Sequence, residues 1–298
     1  MIRTLPSQAE TAHGGRSGQT VRVSHDVLTR PAREPDRTVS LGPAPHQVYD
    51  VWLAPGAQVT VVLVHGGFWR QEWDRTHLRA TAEALAGAGY AVALPEYRRT
   101  GMPGGIWPGP GEDVAAALTA IRADRLLPGP TVLVGHSAGG HLAVWLLHRA
   151  EAAGVLGAVS LAGCLDLRLV GRLGLDDGAA DALMGGTSWR EEPALDADPI
   201  DLGPTAAPTR LLHGTADEQV PLEVSRSWLA TAGTAGRDTL RVLDGTDHFD
   251  LIDPRSSAWP VLLDELRALT GREPAVAAEA ARQPTPPTAE PEPAGGAS

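Results

Sequence analysis

Seven short runs, each rich in β-branched or other apolar residues, recur along this chain with helical periods between them. They occupy 47–53, 59–64, 91–94, 131–134, 158–162, 209–212 and 239–243. Several are apolar almost throughout, which suits strands covered on both faces. Between them Leu78, Ala82 and Leu85 fall at i, i+4, i+7, and so do Val114, Leu118 and Ile121. After the fourth run, Leu142, Trp145, Leu146 and Ala150 mark one helical face. Alternation of this kind builds βαβ units, hence a mainly parallel sheet flanked by helices on both faces.

The rhythm sets the expected boundaries. A single α/β domain is predicted over 36–271. The stretch 169–205 is rich in Gly, Asp and Pro and breaks the alternation, which suggests an inserted lid or short cap. Residues 1–35 are polar and sprinkled with Gly and Pro, so a poorly ordered segment is expected there. Residues 272–298 hold six prolines and no aromatic residue. That composition buries too little apolar surface to offset chain entropy, and a disordered tail is expected.

The formal charge of −11 argues against nucleic acid or an anionic membrane surface as partner. With one cysteine, Cys164, no intramolecular disulfide and no cysteine metal cluster can form, and a buried core thiol is expected. No run approaches the ~18 apolar residues of a spanning helix, and the first residues lack an apolar signal core. The expectation is a cytoplasmic protein that needs no metal or organic cofactor and acts on a small molecule.

The fourth run leads into "TVLVGHSAGGHLAVW" (131–145), where a strand must become a helix around Ser137. A turn that sharp forces its central residue into a sparsely allowed conformation and demands small neighbours, which Gly135 and Gly139 supply. It would also hold the serine oxygen at a helix N-terminus, where negative charge is stabilised. One G-x-S-x-G is a weak signal, because a Gly-rich turn with a capping serine reads the same way. Serine chemistry needs a base, an acid that orients the base, and donors for an oxyanion. "TRLLHGTADEQVP" (209–221) ends a strand in a small-residue turn that presents Asp217. "TLRVLDGTDHFDLID" (239–253) follows a strand with a loop that presents His248. "VTVVLVHGGFW" (59–69) runs a strand into two glycines, whose turn would aim the N–H of Gly67 or Phe68, with that of Ala138, at an anion. Four such features, each at a strand's carboxyl end and in the order Ser, Asp, His, point to a nucleophile elbow and its triad.

These motifs resemble the α/β-hydrolases of the hormone-sensitive-lipase, carboxylesterase and kynurenine-formamidase group. The resemblance rests on HGGFW, GHSAGGHL, HGTADEQVP and DHFDLID and covers roughly 40–270. It implies the α/β-hydrolase fold, the triad Ser137–Asp217–His248 and hydrolysis of a carboxylic ester of a small acyl or aryl substrate through an acyl-enzyme. Phe68 stands where lipase-type members have a third glycine, which is closer to formamidases and small esterases. An arylformamidase acting on an N-formyl aryl amide is therefore the alternative. A peptidase of the prolyl-oligopeptidase type would need an N-terminal propeller that some 35 polar residues cannot build. A binding protein on a catalytically silent scaffold is the remaining reading.

Other residues compete for roles. His65 is expected to pin the HGG turn, His213 to brace the acid turn, and His136 and His141 to pack. Asp166 is the rival triad acid, and Asp113 reads as a helix cap. Trp69, Trp107 and Phe249, with Trp73, fall in loops at the same edge and suggest an aromatic-lined substrate pocket.

Overall fold

The structure, a computed structural model, describes residues 25–192 and 195–271. Its strands are β1 (Arg37–Ser40), β2 (Val48–Trp52), β3 (Thr60–Val64), β4 (Ala91–Pro95), β5 (Thr131–His136), β6 (Ala158–Leu161), β7 (Thr209–Gly214) and β8 (Thr239–Leu243). They form one sheet in the order β1-β2-β4-β3-β5-β6-β7-β8. The first two strands pair antiparallel, β2 pairs antiparallel with β4, and every later pairing is parallel. All seven expected runs are strands. The one not foreseen, β1, is a four-residue edge strand, Arg-Thr-Val-Ser, too short and too polar to show a period.

The helices are α1 (Arg79–Gly87), α2 (Gly109–Ala123), α3 (Ala138–Leu146), α4 (Leu167–Leu173), α5 (Leu175–Leu183), α6 (Pro199–Leu202), α7 (Glu223–Thr231) and α8 (Ala258–Thr270). Alternate residues of one strand face opposite sides, and the core divides accordingly. Val62 and Val64 join Leu118, Leu142 and Trp145 beneath α2 and α3. Val61 and Leu63 join Leu85, Leu262 and Leu266 beneath α1 and α8. Each fully buried aliphatic side chain in these layers contributes roughly 1.5–3 kcal/mol. The layers thus make the sheet a rigid frame, and its parallel strands end together on one rim: Val64 lies opposite Gly135, His136 opposite Leu161, and Gly214 opposite Leu243.

The stretch between β6 and β7 carries α4, α5, a short 3-10 helix (Ser188–Glu191) and α6. Val170, Ala179, Ala180, Leu183 and Trp189 from it are buried in the α2/α3 layer. Inside α5, Asp176, Asp177 and Gly178 all have positive φ, so the helix is kinked at its start. The Arg70 guanidinium donates to the Asp176 carboxylate and carbonyl there, tying this stretch to the loop after β3.

The expected poorly ordered segment 1–35 lies largely outside the described residues, but its last part does not. His25–Thr29 is a 3-10 helix. Val27 is buried among Leu78, Ala82, Leu251 and Ile252. The Arg30 guanidinium grips both carboxylate oxygens of Asp253. Two adjacent apolar residues, Val27 and Leu28, in a polar stretch leave no periodic trace, and a partner 223 positions away leaves none either. The tail expected at 272–298 lies outside the described residues.

Candidate active site

Ser137 sits between the last residue of β5 and the first of α3, with φ 55° and ψ −121°. For a residue with a Cβ this is strained backbone, costing about 1–3 kcal/mol, and it persists only where its surroundings over-determine it. They do. The Ser137 N–H donates to Leu161 C=O at 2.8 Å, and its C=O accepts from His141 N–H at 3.2 Å and Cys164 N–H at 3.3 Å. The flanking glycines are required by space as well. A Cβ on Gly135 would lie 2.1 Å from the Gly139 oxygen, and one on Gly139 would lie 2.1 Å from the Val64 oxygen. The turn therefore presses α3 onto β3 and β5. Ser137 Oγ is left buried, with no nitrogen or oxygen hydrogen-bond partner among the described residues.

Asp217 and His248 meet as the chain order implied. Asp217 Oδ2 accepts from His248 Nδ1–H at 2.7 Å. Its other oxygen accepts from the N–H groups of Gln219 (2.9 Å) and Val220 (2.8 Å). Burial pushes this carboxyl up, but hydrogen bonds from His213 and His248 and the Val220 N–H outweigh it, and the group is held well below the usual carboxylate range. His213 does brace the turn: its Nε2–H donates to Val220 C=O at 2.8 Å, and its Nδ1 accepts from the Ser225 hydroxyl at 2.7 Å. Asp247 holds the histidine loop, accepting at Oδ1 from the N–H groups of Phe249 and Asp250, both at 2.8 Å.

Ser137 and His248 share the wall of one cavity of ≈ 110 Å³. Gly67, Phe68, Trp73, His77, His136 and Phe249 line it too, with Leu28, Asp176 and Gln219. His136 does more than pack. Its ring lies 4.4 Å from that of His248, and its Nε2–H donates to the His248 C=O at 3.0 Å. Burial, with His248 beside it, holds the His136 imidazole neutral by pushing its pKa far down. Burial likewise takes His77 to about 4, and its Nδ1–H donates to Asp74 C=O at 2.6 Å.

The loop after β3 has three consecutive positive φ values, at Gly67 (104°), Phe68 (48°) and Trp69 (55°). Its turn is closed by Arg70 N–H to Gly67 C=O (2.9 Å) and Thr100 N–H to Trp69 C=O (2.7 Å), bonds in which the N–H groups of Gly67 and Phe68 take no part. Ala138, the third expected donor, is the first residue of α3. His65 anchors the loop from below, with Nδ1–H to Gly66 C=O at 2.9 Å and Nε2 to Glu96 Oε1 at 2.8 Å. Glu96 also accepts Arg75 N–H at 3.0 Å and faces Arg99 at 2.8 Å. Burial pushes that carboxyl up, yet His65 and Arg99 bring it to about 2.

Several expectations need correction. Trp69 is fully buried and donates Nε1–H to His141 Nδ1 at 3.2 Å, so it braces α3 and does not line the cavity. Trp107 packs edge-on against Trp145 at 5.0 Å, also away from the cavity. Of the three expected substrate-binding aromatics, only Phe249 lines it. Asp166 caps α4, accepting Leu169 N–H at 2.8 Å and the Ser227 hydroxyl at 2.6 Å, and makes no contact with His248. Asp113 lies within α2 and is gripped by Arg98 at 2.6 and 2.7 Å; it caps nothing. Leu28, His77 and Asp176 at the cavity lie outside every motif used in the sequence analysis, and Gln219, inside HGTADEQVP, was given no role there. Among the described residues, no group of three His, Cys, Asp or Glu side chains is placed to hold a metal ion, and no helix is long and apolar enough to cross a membrane.

Known proteins share this fold. The truncated form of a carbohydrate esterase from gut microbiota superposes with a TM-score of 0.66 at 18% identity, over 80% of this chain and all of that one. Esterase B from Lactobacillus rhamnosis does so with 0.66 at 20% identity, over 83% of this chain and 89% of that one. The Mycobacterium tuberculosis protein named "Putative acetyl-hydrolase LipR" is 33% identical over 129 residues, which is 42% of this chain. The match spans 41% of that relative's length. The strand order, the elbow and the rim loops are those of the α/β-hydrolase fold, and residues 49–231 match one of its families from β2 to the end of α7. The chain belongs to the BD-FAE family.

Proposed function

We propose that this chain is a carboxylic-ester hydrolase in which Ser137 is the nucleophile, His248 the base and Asp217 the group that orients it. The observation that carries the reading is the 2.7 Å bond from His248 Nδ1–H to a buried, ionised Asp217, beside a strained serine whose hydroxyl has no nitrogen or oxygen partner among the described residues. Asp217 keeps the proton on Nδ1 and leaves Nε2 as a bare acceptor for the Ser137 hydroxyl. The Ser137–His248 hydrogen bond is open in this structure, and such contacts often tighten only when substrate is bound.

In this reading Ser137 Oγ attacks the ester carbonyl as His248 takes its proton. Charge develops on the carbonyl oxygen at the N-terminus of α3, where the amides of Ala138 and of Gly67 or Phe68 would receive it. The imidazolium, stabilised by Asp217, protonates the leaving alcohol. Water then enters, gives its proton to His248 and attacks the acyl-enzyme, and the acid is released. The acetyl-hydrolase named among the relatives and the small cavity both favour short acyl groups.

The test is covalent labelling by a fluorophosphonate, with turnover of p-nitrophenyl acetate, p-nitrophenyl butyrate and an N-formyl aryl amide. Labelling and ester turnover are expected in the folded wild type and lost in Ser137→Ala. Absence of labelling in the wild type would refute the assignment. Turnover of the formyl amide well above both esters would replace esterase with arylformamidase.

A further inference from the structure

One wall of the cavity comes from a part of the chain that the motifs do not include. Leu28, in the 3-10 helix His25–Thr29, lines the cavity with His77, His248 and Phe249. Its neighbours fix it there. Val27 is 1% exposed and belongs to the same buried cluster as Leu78, from the 3-10 helix before α1, and Leu251 and Ile252, which follow the histidine loop. Arg30 closes the segment with a two-pronged pair to Asp253. Asp253 is itself positioned by Arg255 N–H at 2.8 Å. An apolar side chain is thus held at the mouth of a reaction site by a buried anchor on one side and an ion pair on the other.

We infer that Leu28 is a specificity-determining residue that limits the bulk of the leaving alcohol, and that the Arg30–Asp253 pair is the clasp that keeps it in place; the inference rests on the proposed esterase reading. The side of the cavity follows from chemistry. His248 must hand its proton to the departing oxygen, so the alcohol leaves past the imidazole. The segment is anchored to the residues just beyond that histidine, so Leu28 bounds the alcohol arm and leaves the acyl arm alone. A bulky alcohol must displace Leu28 or stop short of the attack distance. Contacts of one or two methylenes in such a wall change discrimination by about tenfold.

The experiment compares phenyl acetate with 2-naphthyl acetate, and p-nitrophenyl acetate with the butyrate, in the full-length wild type, Leu28→Ala, Leu28→Trp and Arg30→Met. The naphthyl-to-phenyl ratio of kcat/KM should rise about tenfold in Leu28→Ala, fall about tenfold in Leu28→Trp, and rise in Arg30→Met, where Leu28 is untouched. The butyrate-to-acetate ratio should stay within about twofold in all three. Each ratio is internal to one variant, and fluorophosphonate labelling of Ser137 verifies that the variant is folded and competent. Labelled variants whose naphthyl-to-phenyl ratio does not move overturn the inference and leave the esterase reading standing. A change confined to the acyl ratio overturns the placement on the alcohol arm. A wild type that neither labels nor turns over any ester overturns both readings.

Discussion

Replacing Asp217 with asparagine tests the site where its geometry is most demanding. The carboxylate uses its two oxygens differently: Oδ1 accepts the Gln219 and Val220 N–H groups, and Oδ2 accepts His248 Nδ1–H. An asparagine keeps the two backbone bonds only if its carbonyl takes the Oδ1 place, which turns its NH2 towards His248. That NH2 is a donor, so the ring can meet it only with a bare Nδ1, and the proton moves to Nε2. The base then has no lone pair for the Ser137 hydroxyl. Restoring the productive tautomer sacrifices the new bond, and the imidazolium formed on attack loses its neighbouring charge. The expected loss in kcat is about 10³–10⁴, or roughly 4–5 kcal/mol at 1.36 kcal/mol per factor of ten. KM for a short ester should change little, because Asp217 is not among the cavity-lining residues. The assay is steady-state turnover of p-nitrophenyl acetate, with melting temperature as the control for folding. A folded variant that retains more than a tenth of wild-type kcat would refute the tautomer argument and the role of Asp217 with it.

Two other outcomes follow from buried groups. Ser137 carries a positive φ, so Ser137→Gly should melt above Ser137→Ala, by roughly 1 kcal/mol of stability, while both are inactive. Thermal unfolding decides this, and a glycine variant that melts lower would show that the elbow is not strained. Asp198 is fully buried, and burial, with Asp166 and Asp201 nearby, raises its carboxyl to about 7 despite the Leu167 and Ile200 N–H groups. Its folded pKa lies above its unfolded one, so the unfolded state binds fewer protons between about pH 4 and 7, and stability falls as pH rises through that window. The melting temperature of Asp198→Asn relative to wild type should therefore climb from pH 4 to 7 and level off above; a flat difference would place the group elsewhere.

The parts of this site legible in the sequence are those whose chemistry is local. HGG, GHSAGG and the two strand-to-loop turns each compress a backbone requirement into a few residues, so β3, β5, β7 and β8 and the residues they carry could be read directly. The aromatic residues could not, because a tryptophan beside a motif reads the same whether it faces a cavity or the core. Trp69 is turned inward by its positive φ and its bond to His141. Asp113 escapes sequence reading for a related reason: its partner Arg98 lies fifteen positions earlier, in the loop after β4, where no local pattern reports it. His136 was expected only to pack, because nothing near it in sequence shows that the loop bearing His248 folds over its ring. The wall from Leu28 was hidden in a stretch whose composition suggested little order.

The ion pair between Arg30 and Asp253 also bears on how the molecule is made. Arg30 must wait for a partner 223 positions further along the chain, and loops of that span close late. The sheet and the Asp217–His248 pair can therefore assemble while the segment around Arg30 is still unattached. Under the proposed function, the folding chain would pass through an interval with Ser137 and His248 in place and Leu28 not yet seated, so selectivity would be acquired last.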